Sequence, residues 1–255
     1  MKENESTEKN TSWREKKLSL ALEGVEAKVV YLTYEGFDLN TLIVSFGEKR
    51  RVLSTWAGLK EVKFVGNVYT PLTLSQHTMK NYEEFQRKFP LTLGIRPEEI
   101  SFLSTGVDMD NLAVCETSYQ EFKVCCLATA GAKGNALRTG VDVADYVERD
   151  GNFMHAAGTI NVVLLTNAAL TDGAMARAII TATEAKTAAL QDLDVRSTYT
   201  PRNQATGTGT DNVIVVSGKA LGKPLRLASG HTKIGELIGF STKIAVAEAL
   251  KKHDG

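Results

Sequence analysis

The sequence has few cysteines, no long apolar run and no excess of charge, and each of these absences excludes a class of protein. Only three of its 255 residues are cysteines, two of them adjacent at Cys125 and Cys126, so neither a disulfide framework nor a metal-ligand spacing is present. The basic and acidic residues both number 30, and a net charge of zero does not favour binding to nucleic acid or to an anionic membrane. No apolar run reaches the roughly 18 residues that a membrane-spanning helix requires.

The first 17 residues differ in composition from the rest of the chain. Residues 1–17 are charged and lack the apolar segment of a secretory signal, so we expect a flexible tail and a reducing, cytoplasmic location. With 43% hydrophobic residues the chain has enough apolar side chains for a sizeable core, and no linker or repeat divides it. We therefore expect residues 18–255 to form a single compact domain, and a homo-oligomer remains open.

The apolar pattern changes between the two halves of the chain. Alternating segments at 25–34 and 41–46, with a turn after the second, predict antiparallel strands. Later, the largely apolar residues 160–165 predict a buried strand, and the alanine-rich residues 171–190 are too long for a strand and predict a helix. A further apolar segment at 213–216 completes a strand–helix–strand unit. The combination predicts a mixed β-sheet packed by helices, of the α/β or α+β class.

The alanine-rich helix carries two charged residues that invite a functional interpretation. At roughly 100° per residue, Glu184 and Lys186 lie on different faces, so we do not expect them to pair. Glu184 is either solvated, paired with Arg177 on its own side of the helix, or functional. Lys186 lies among apolar residues, where a lysine usually extends its ammonium to water, or else it acts as an electrostatic group in a site.

A loop rich in glycine and threonine precedes the last predicted strand. Residues 205–211 read Ala-Thr-Gly-Thr-Gly-Thr-Asp, and alternating glycines of this kind form either an anion-binding nest or a plain turn. The loop lacks the Gly-Lys-Ser/Thr of a Walker motif, and Asp211 occupies the place of the third glycine of the dinucleotide fingerprint. Nearer the C-terminus, Ser229 or Thr232 is the predicted N-cap of a terminal helix. His231 at its start either serves as a neutral base or simply caps and packs.

Four motifs, in this order and at this approximate spacing, resemble the adenosylcobinamide amidohydrolase family. They are Gly-Thr-Ile-Asn from Gly158, Thr-Glu-Ala-Lys-Thr-Ala-Ala-Leu from Thr183, the 205–211 loop, and Gly-His-Thr-Lys-Ile-Gly-Glu-Leu-Ile-Gly from Gly230. Looser N-terminal motifs extend the likeness to about residues 30–250. The resemblance implies an enzyme of cobamide (vitamin B12-type) salvage that hydrolyses the amide joining aminopropanol to the corrin ring. The corrinoid is then the substrate, and no separate cofactor is implied.

We hypothesise that the titratable residues within these motifs, Glu184, Asp211 and His231, are the catalytic candidates, one of which activates water. A threonine nucleophile, Thr208 or Thr210, is the alternative. Groups suited to binding the substrate amides or the oxyanion are Asn135, Asn161, Lys186, Thr206, Thr208, Thr210 and Lys233.

The substrate and the competing functions follow from the same residues. A corrinoid is large and flat, so its pocket should be broad and mostly apolar, with Trp56, Phe64, Tyr69 or Phe153 as aromatic wall or as ordinary core. Two other functions stay open: a non-catalytic corrinoid carrier or sensor, and a phosphate- or nucleotide-binding enzyme that rests on the 205–211 loop alone.

Overall fold

The computed structural model describes residues 13–78, 81–144, 147 and 158–255, and these ranges contain thirteen strands and four α-helices. The strands are β1 (Arg14–Leu18), β2 (Val25–Tyr34), β3 (Phe37–Ser54), β4 (Gly58–Tyr69), β5 (Ile100–Thr105), β6 (Ala113–Tyr119), β7 (Phe122–Gly131), β8 (Ala136–Leu137), β9 (Thr159–Thr166), β10 (Ala168–Leu170), β11 (Gly207–Thr208), β12 (Asn212–Val216) and β13 (Ala220–Leu225). The helices are α1 (Leu72–Thr78), α2 (Tyr82–Thr92), α3 (Asp172–Asp192) and α4 (Lys233–Asp254). No helix in these ranges is long and apolar enough to cross a membrane.

Nine of the strands form one bent, mixed sheet. Its main order is β1-β2-β3-β12-β9-β7-β6, with β4 on the other edge of β3 and β5 beside β4. The register between β3 and β4 shifts between Ser45 and Arg50, so β3 bends there. Its first half pairs with β2 and its last residues pair with β12. The predicted mixed sheet packed by helices is confirmed, in a single domain of the α+β class.

The predicted strand–helix–strand unit is formed by β9, α3 and β12. Parallel strands such as β9 and β12 need a crossover, and α3 supplies it after Thr171 caps its first turn by accepting the Ala174 N–H. All eight residues of β9 are buried, because α3 and α4 cover one face of the sheet and its bent interior covers the other. On α3, Ala174, Ala178, Ala182 and Ala189 are buried on the sheet side, whereas Ala176 is exposed.

Part of the predicted flexible tail, residues 1–17, forms a strand. Arg14–Leu18 forms β1, which pairs antiparallel with β2 at the edge of the sheet. Its side chains stay largely exposed, and the guanidinium of Arg14 lies 3.9 Å from the centre of the Tyr31 ring. A charged edge strand has the composition of a tail, which explains the error. Residues 1–12 lie outside the described ranges.

A network of polar side chains crosses the interior of the bent sheet. The Asn161 amide donates to the side-chain oxygen of Asn67 at 2.9 Å and to the Ser104 carbonyl at 2.8 Å, and the Asn67 amide donates to the Thr129 hydroxyl at 2.9 Å. Strands β4 and β5 are not neighbours of β7 and β9 in the sheet, so the network ties its two arms together. Buried polar groups require partners, and this network therefore fixes how far the sheet bends.

Replacement of Asn161 by alanine should destabilise the fold. Asn161→Ala leaves the Asn67 oxygen and the Ser104 carbonyl unpaired, so the free energy of unfolding should fall by about 2–3 kcal/mol. Urea unfolding followed by circular dichroism measures the change. The matched control is Asn111→Ala at a half-exposed position, for which we expect a change within about 0.5 kcal/mol. Equal midpoints for the two variants would show that the network contributes nothing.

Candidate active site

The candidate site lies at the edge where β7 ends and β9 and β12 begin. Because β9 and β12 are parallel, their first residues lie side by side, and the antiparallel β7 brings its last residues to the same edge. Gly158 precedes β9, Asp211 precedes β12 and Asn135 follows β7. The C-terminal half of α3 lies over this edge and contributes Lys186. Three of the family-like motifs therefore meet in space, although they are far apart in the chain.

Lys186 and Asp211 form an ion pair at this edge. The Lys186 ammonium donates to Asp211 Oδ2 in a short contact, and the two side chains are only 11% and 15% exposed. The interpretation in which Lys186 extends to water is therefore wrong. The sequence around Lys186 could not show this, because the counter-charge that makes burial of the ammonium tolerable comes from a residue in another element.

Four donors surround the Asp211 carboxylate. Besides the Lys186 ammonium, Oδ2 accepts the Thr208 N–H at 2.9 Å, while Oδ1 accepts the Ile160 N–H at 3.0 Å and the Thr208 hydroxyl at 2.5 Å. A carboxylate has about four acceptor sites, so this one is fully engaged. Asp211 thereby connects α3, the start of β9 and its own loop.

The glycine–threonine loop is built around Asp211 rather than around a free anion. Its Gly207–Thr208 segment pairs with Ala136–Leu137, and the Thr208 N–H points to the carboxylate. A Cβ on Gly207 would lie 2.5 Å from both Lys186 Nζ and Asp211 Oδ2. The position thus admits no side chain, and this explains why the motif has a glycine there.

Three other predicted binding residues shape the same loop. Thr206 Oγ1 accepts the Thr139 N–H at 2.9 Å. The Thr210 hydroxyl and the Asn135 amide both donate to the Gly158 carbonyl, each at 2.9 Å. These bonds hold the loop against the start of β9, so the structure gives these polar groups partners within the protein.

Two further predicted residues, Glu184 and Asn161, do not reach the ion pair. Glu184 is exposed and lies roughly 200° around α3 from Lys186, so the prediction that the two do not pair is confirmed. Asn161 points into the sheet interior, and both of its amide hydrogens are donated to Asn67 and Ser104. The proposed recognition of a substrate amide by Asn161 is therefore wrong, because its burial and its partners exclude contact with a ligand.

The structure places His231 and Lys233 at the far end of α4. The Asp254 carboxylate at the end of this helix accepts the Ala132 N–H, close to the candidate site. Lys233 begins the helix about 33 Å away, where its ammonium lies 4.6 Å from the ring centre of Tyr119. His231 is exposed just before it and is not among the groups around Asp211. His231, one of the catalytic candidates of the sequence, therefore lies apart from Asp211, because α4 spans the length of the sheet.

A cavity of about 60 Å³ opens beside the Lys186 ammonium. Its polar lining is Thr55, Thr183, Lys186, Asp211 and Asn212, and its apolar lining is Ile160, Val162, Ile179, Ala182 and Val213. Such a volume holds a few water-sized groups or an amide, and it is far smaller than a corrin ring. This cavity is therefore not the broad apolar pocket expected for a corrinoid, and Phe153, one of the expected wall residues, lies outside the described ranges.

Sequence reasoning missed three polar residues of this cavity as site residues. Thr55 donates its hydroxyl to the Asn212 side-chain oxygen at 2.9 Å, and Thr183 lies one turn before Lys186 on α3. None of the three is charged, and none has a distinctive spacing. The available signal was their position, since each adjoins or belongs to a segment that resembles the family.

The fold and this site define an α+β protein with a lysine–carboxylate pair beside a small cavity at a sheet edge. Residues 27–255 match the adenosylcobinamide amidohydrolase family, designated CbiZ, and the chain belongs to that family of amidohydrolases. The resemblance inferred from the sequence is thereby confirmed.

Individual relatives cover most of the chain. An uncharacterized protein of Methanocaldococcus jannaschii is 49% identical over 227 residues, which are 85% of this chain and 88% of that protein. An adenosylcobinamide amidohydrolase of Methanosarcina mazei is 32% identical over 158 residues, 62% of this chain and 64% of its own length. Among solved structures, a protein of Pyrococcus horikoshii aligns with a TM-score of 0.45 and 12% identity, over 91% of this chain and 85% of the other.

Replacement of Gly207 by alanine should disrupt the ion pair. The new methyl group displaces the Lys186 ammonium or the Asp211 carboxylate, so we expect Gly207→Ala to lower the free energy of unfolding by about 1–3 kcal/mol. The control is Gly173→Ala in the first turn of α3, where a Cβ meets nothing within 4 Å. That variant should be neutral or more stable by up to about 1 kcal/mol. Thermal unfolding in which both variants match the wild type would contradict the steric argument.

Proposed function

We propose that the protein hydrolyses the amide that joins aminopropanol to the corrin ring of adenosylcobinamide. The products are adenosylcobyric acid and 1-amino-2-propanol, and the reaction returns a scavenged corrinoid to cobamide synthesis. The observation that carries the proposal is the Lys186–Asp211 pair beside a cavity of amide size, built by motifs of the amidohydrolase family. The relative from Methanosarcina mazei that bears this activity in its name supports the same substrate.

Lys186 is the group that we assign to the developing oxyanion. An ammonium has three donors, and Asp211 uses one of them, which leaves two for a group in the cavity. An amide oxygen placed there gains negative charge as the carbonyl carbon is attacked, and a fixed positive charge in a partly buried site stabilises it. Asp211 holds the ammonium in position and is the carboxylate nearest to the cavity.

Two nucleophiles fit the geometry, and the cavity favours water. Thr55, Thr183 and Asn212 line it with hydroxyl and amide groups that hold a water molecule beside the bound amide. The Thr208 hydroxyl donates to Asp211, which is the arrangement of a nucleophile and its base. Thr208 is buried, however, and it does not line the cavity. In the water mechanism, rotation of this hydroxyl frees Oδ1 of Asp211 to accept the proton.

The two competing functions lose support from the same contacts. A carrier or sensor of the corrin ring has no need of an ion pair beside a small cavity, because it gains its affinity from the ring itself. The nucleotide-binding hypothesis rested on the N–H groups of the 205–211 loop. One of these, the Thr208 N–H, is occupied by the carboxylate of Asp211.

The residue assignment predicts which variants lose activity. With purified protein and adenosylcobinamide, Lys186→Met and Asp211→Asn should reduce kcat by roughly 100-fold or more, which is typical of losing an oxyanion donor. Glu184→Ala and His231→Ala, both exposed, should stay within about threefold of the wild type. Cobyric acid measured by mass spectrometry is the readout, and the melting temperature of each variant controls for folding.

Three outcomes of this assay would change the proposal. Inactivation by Glu184→Ala or His231→Ala without loss of stability would show that the substituted residue is needed for catalysis. Tight binding of the corrinoid without turnover by the wild type would make the protein a carrier. Neither binding nor turnover would remove the corrinoid as its ligand.

The choice of nucleophile has its own test. If water attacks directly, Thr208→Ala weakens the hold on Asp211 and lowers kcat by about ten- to 100-fold, but turnover persists. Intact-protein mass spectra of acid-quenched reactions should then show unmodified wild-type protein. A trapped acyl-enzyme that maps to Thr208 and vanishes in Thr208→Ala would sink the water mechanism.

A further inference from the structure

The turn between β3 and β4 carries a large aromatic side chain next to a residue that lines the cavity. Trp56 directly follows Thr55, which lines the cavity, and 43% of Trp56 is exposed. Single exposed apolar residues are common on protein surfaces and need no explanation by themselves. Trp56 differs from such a residue because hydrogen bonds fix its turn and because its ring packs against Tyr82.

The turn that carries Trp56 is fixed on both sides. The Thr55 N–H donates to the Val213 carbonyl, and the Thr55 hydroxyl oxygen accepts the Val213 N–H, each at 3.0 Å. The Ser54 hydroxyl oxygen accepts the N–H groups of Trp56 and Ala57, each at 3.2 Å. Val213 lies two residues after the carboxylate of the ion pair. The backbone that carries the indole is therefore fixed relative to the ion pair.

Tyr82 sets the orientation of the indole ring. The two rings are 5.1 Å apart between centroids and nearly perpendicular, at 87°. Tyr82 itself is buried, and its hydroxyl bonds the Ser104 hydroxyl at 2.8 Å. An edge-to-face contact with an anchored partner fixes the plane of the indole, and the exposed part of the ring has a defined direction.

A second apolar residue extends this surface on the side of the cavity. Leu59 lies opposite Leu53 in the pairing of β3 with β4, and Leu53 packs on the core beneath α3. Leu59 thus lies on the same face of the sheet as the cavity, and it is 46% exposed. Trp56 and Leu59 are thus two exposed apolar residues close in the chain to the cavity-lining residue Thr55.

We propose that Trp56 is the platform on which the corrin ring lies while one amide arm of the ring enters the cavity. This inference rests on the proposed function. The ring is many times larger than the cavity, so a bound corrinoid has to place its macrocycle outside, against the mouth. Its flat apolar face matches a rigid aromatic ring, which buries a large apolar area at a small cost in conformational entropy. Trp56 is therefore a specificity residue for the macrocycle and takes no part in bond cleavage.

The test separates binding of the ring from chemistry at the amide. Trp56→Ala should raise KM for adenosylcobinamide roughly tenfold and leave kcat within about twofold, because the platform acts on the ring and not on the reacting atoms. Trp56→Phe should retain most of the affinity, and Trp56→Leu, which keeps apolar bulk against Tyr82 without a flat ring, should fall between them. Equilibrium dialysis in a Lys186→Met background should give the same order of Kd values.

The matched control is the other tryptophan of the chain. Trp13, 38% exposed beside the edge strand β1, is not part of the cavity mouth, so Trp13→Ala should change neither KM nor kcat. Unchanged KM and Kd in both Trp56→Ala and Trp56→Leu, or a fall in kcat alone, would overturn the proposal that the corrin ring lies on Trp56. Turnover by the wild type would meanwhile leave the hydrolase proposal standing. Wild-type protein that neither binds nor cleaves the corrinoid would overturn both.

Discussion

The geometry of the candidate site depends on one carboxylate. Asp211 holds the ammonium of α3, the Ile160 N–H of β9 and its own loop through four hydrogen bonds. A buried charge without a full set of partners is costly, so each of these contacts requires the others. The absence of a side chain at Gly207 follows from the same requirement. The cavity beside Lys186 exists because these elements are held at fixed distances around a single acid.

The sequence predicts the elements whose burial is uniform and fails where partners come from distant segments. The largely apolar β9 and the alanine-rich α3 are recognisable because both are covered by neighbouring layers. The charged β1 is not, since its order comes from backbone pairing with β2. The strand pattern of β9 shows that Asn161 faces away from Ile160 and Val162. Only the bend of the sheet, however, shows that Asn161 meets Asn67 and Ser104.

The site itself was predicted in part for a similar reason. Lys186, Asp211 and the loop at 205–211 belong to separate motifs and meet in one region of the structure, whereas His231 belongs to a motif that starts at the opposite end of α4. That motif has a structural explanation: Thr232 accepts the Gly235 N–H as the helix cap, and Lys233 pairs with Glu236. Residues of a family motif can therefore serve to begin a helix as well as to take part in a reaction.

The position of the site at the amino ends of β9 and β12 has a consequence for the release of product. Ligand sites of parallel sheets usually lie at the carboxyl ends of strands, beside helix N-termini that attract anions. Here α3 and α4 both begin at the other end of the sheet, and the Lys186 ammonium at the site is paired with Asp211. A neutral amide enters such an edge without electrostatic penalty. In the proposed reaction, the product carboxylate competes with Asp211 for the Lys186 ammonium, and repulsion between the two carboxylates then favours release of the product.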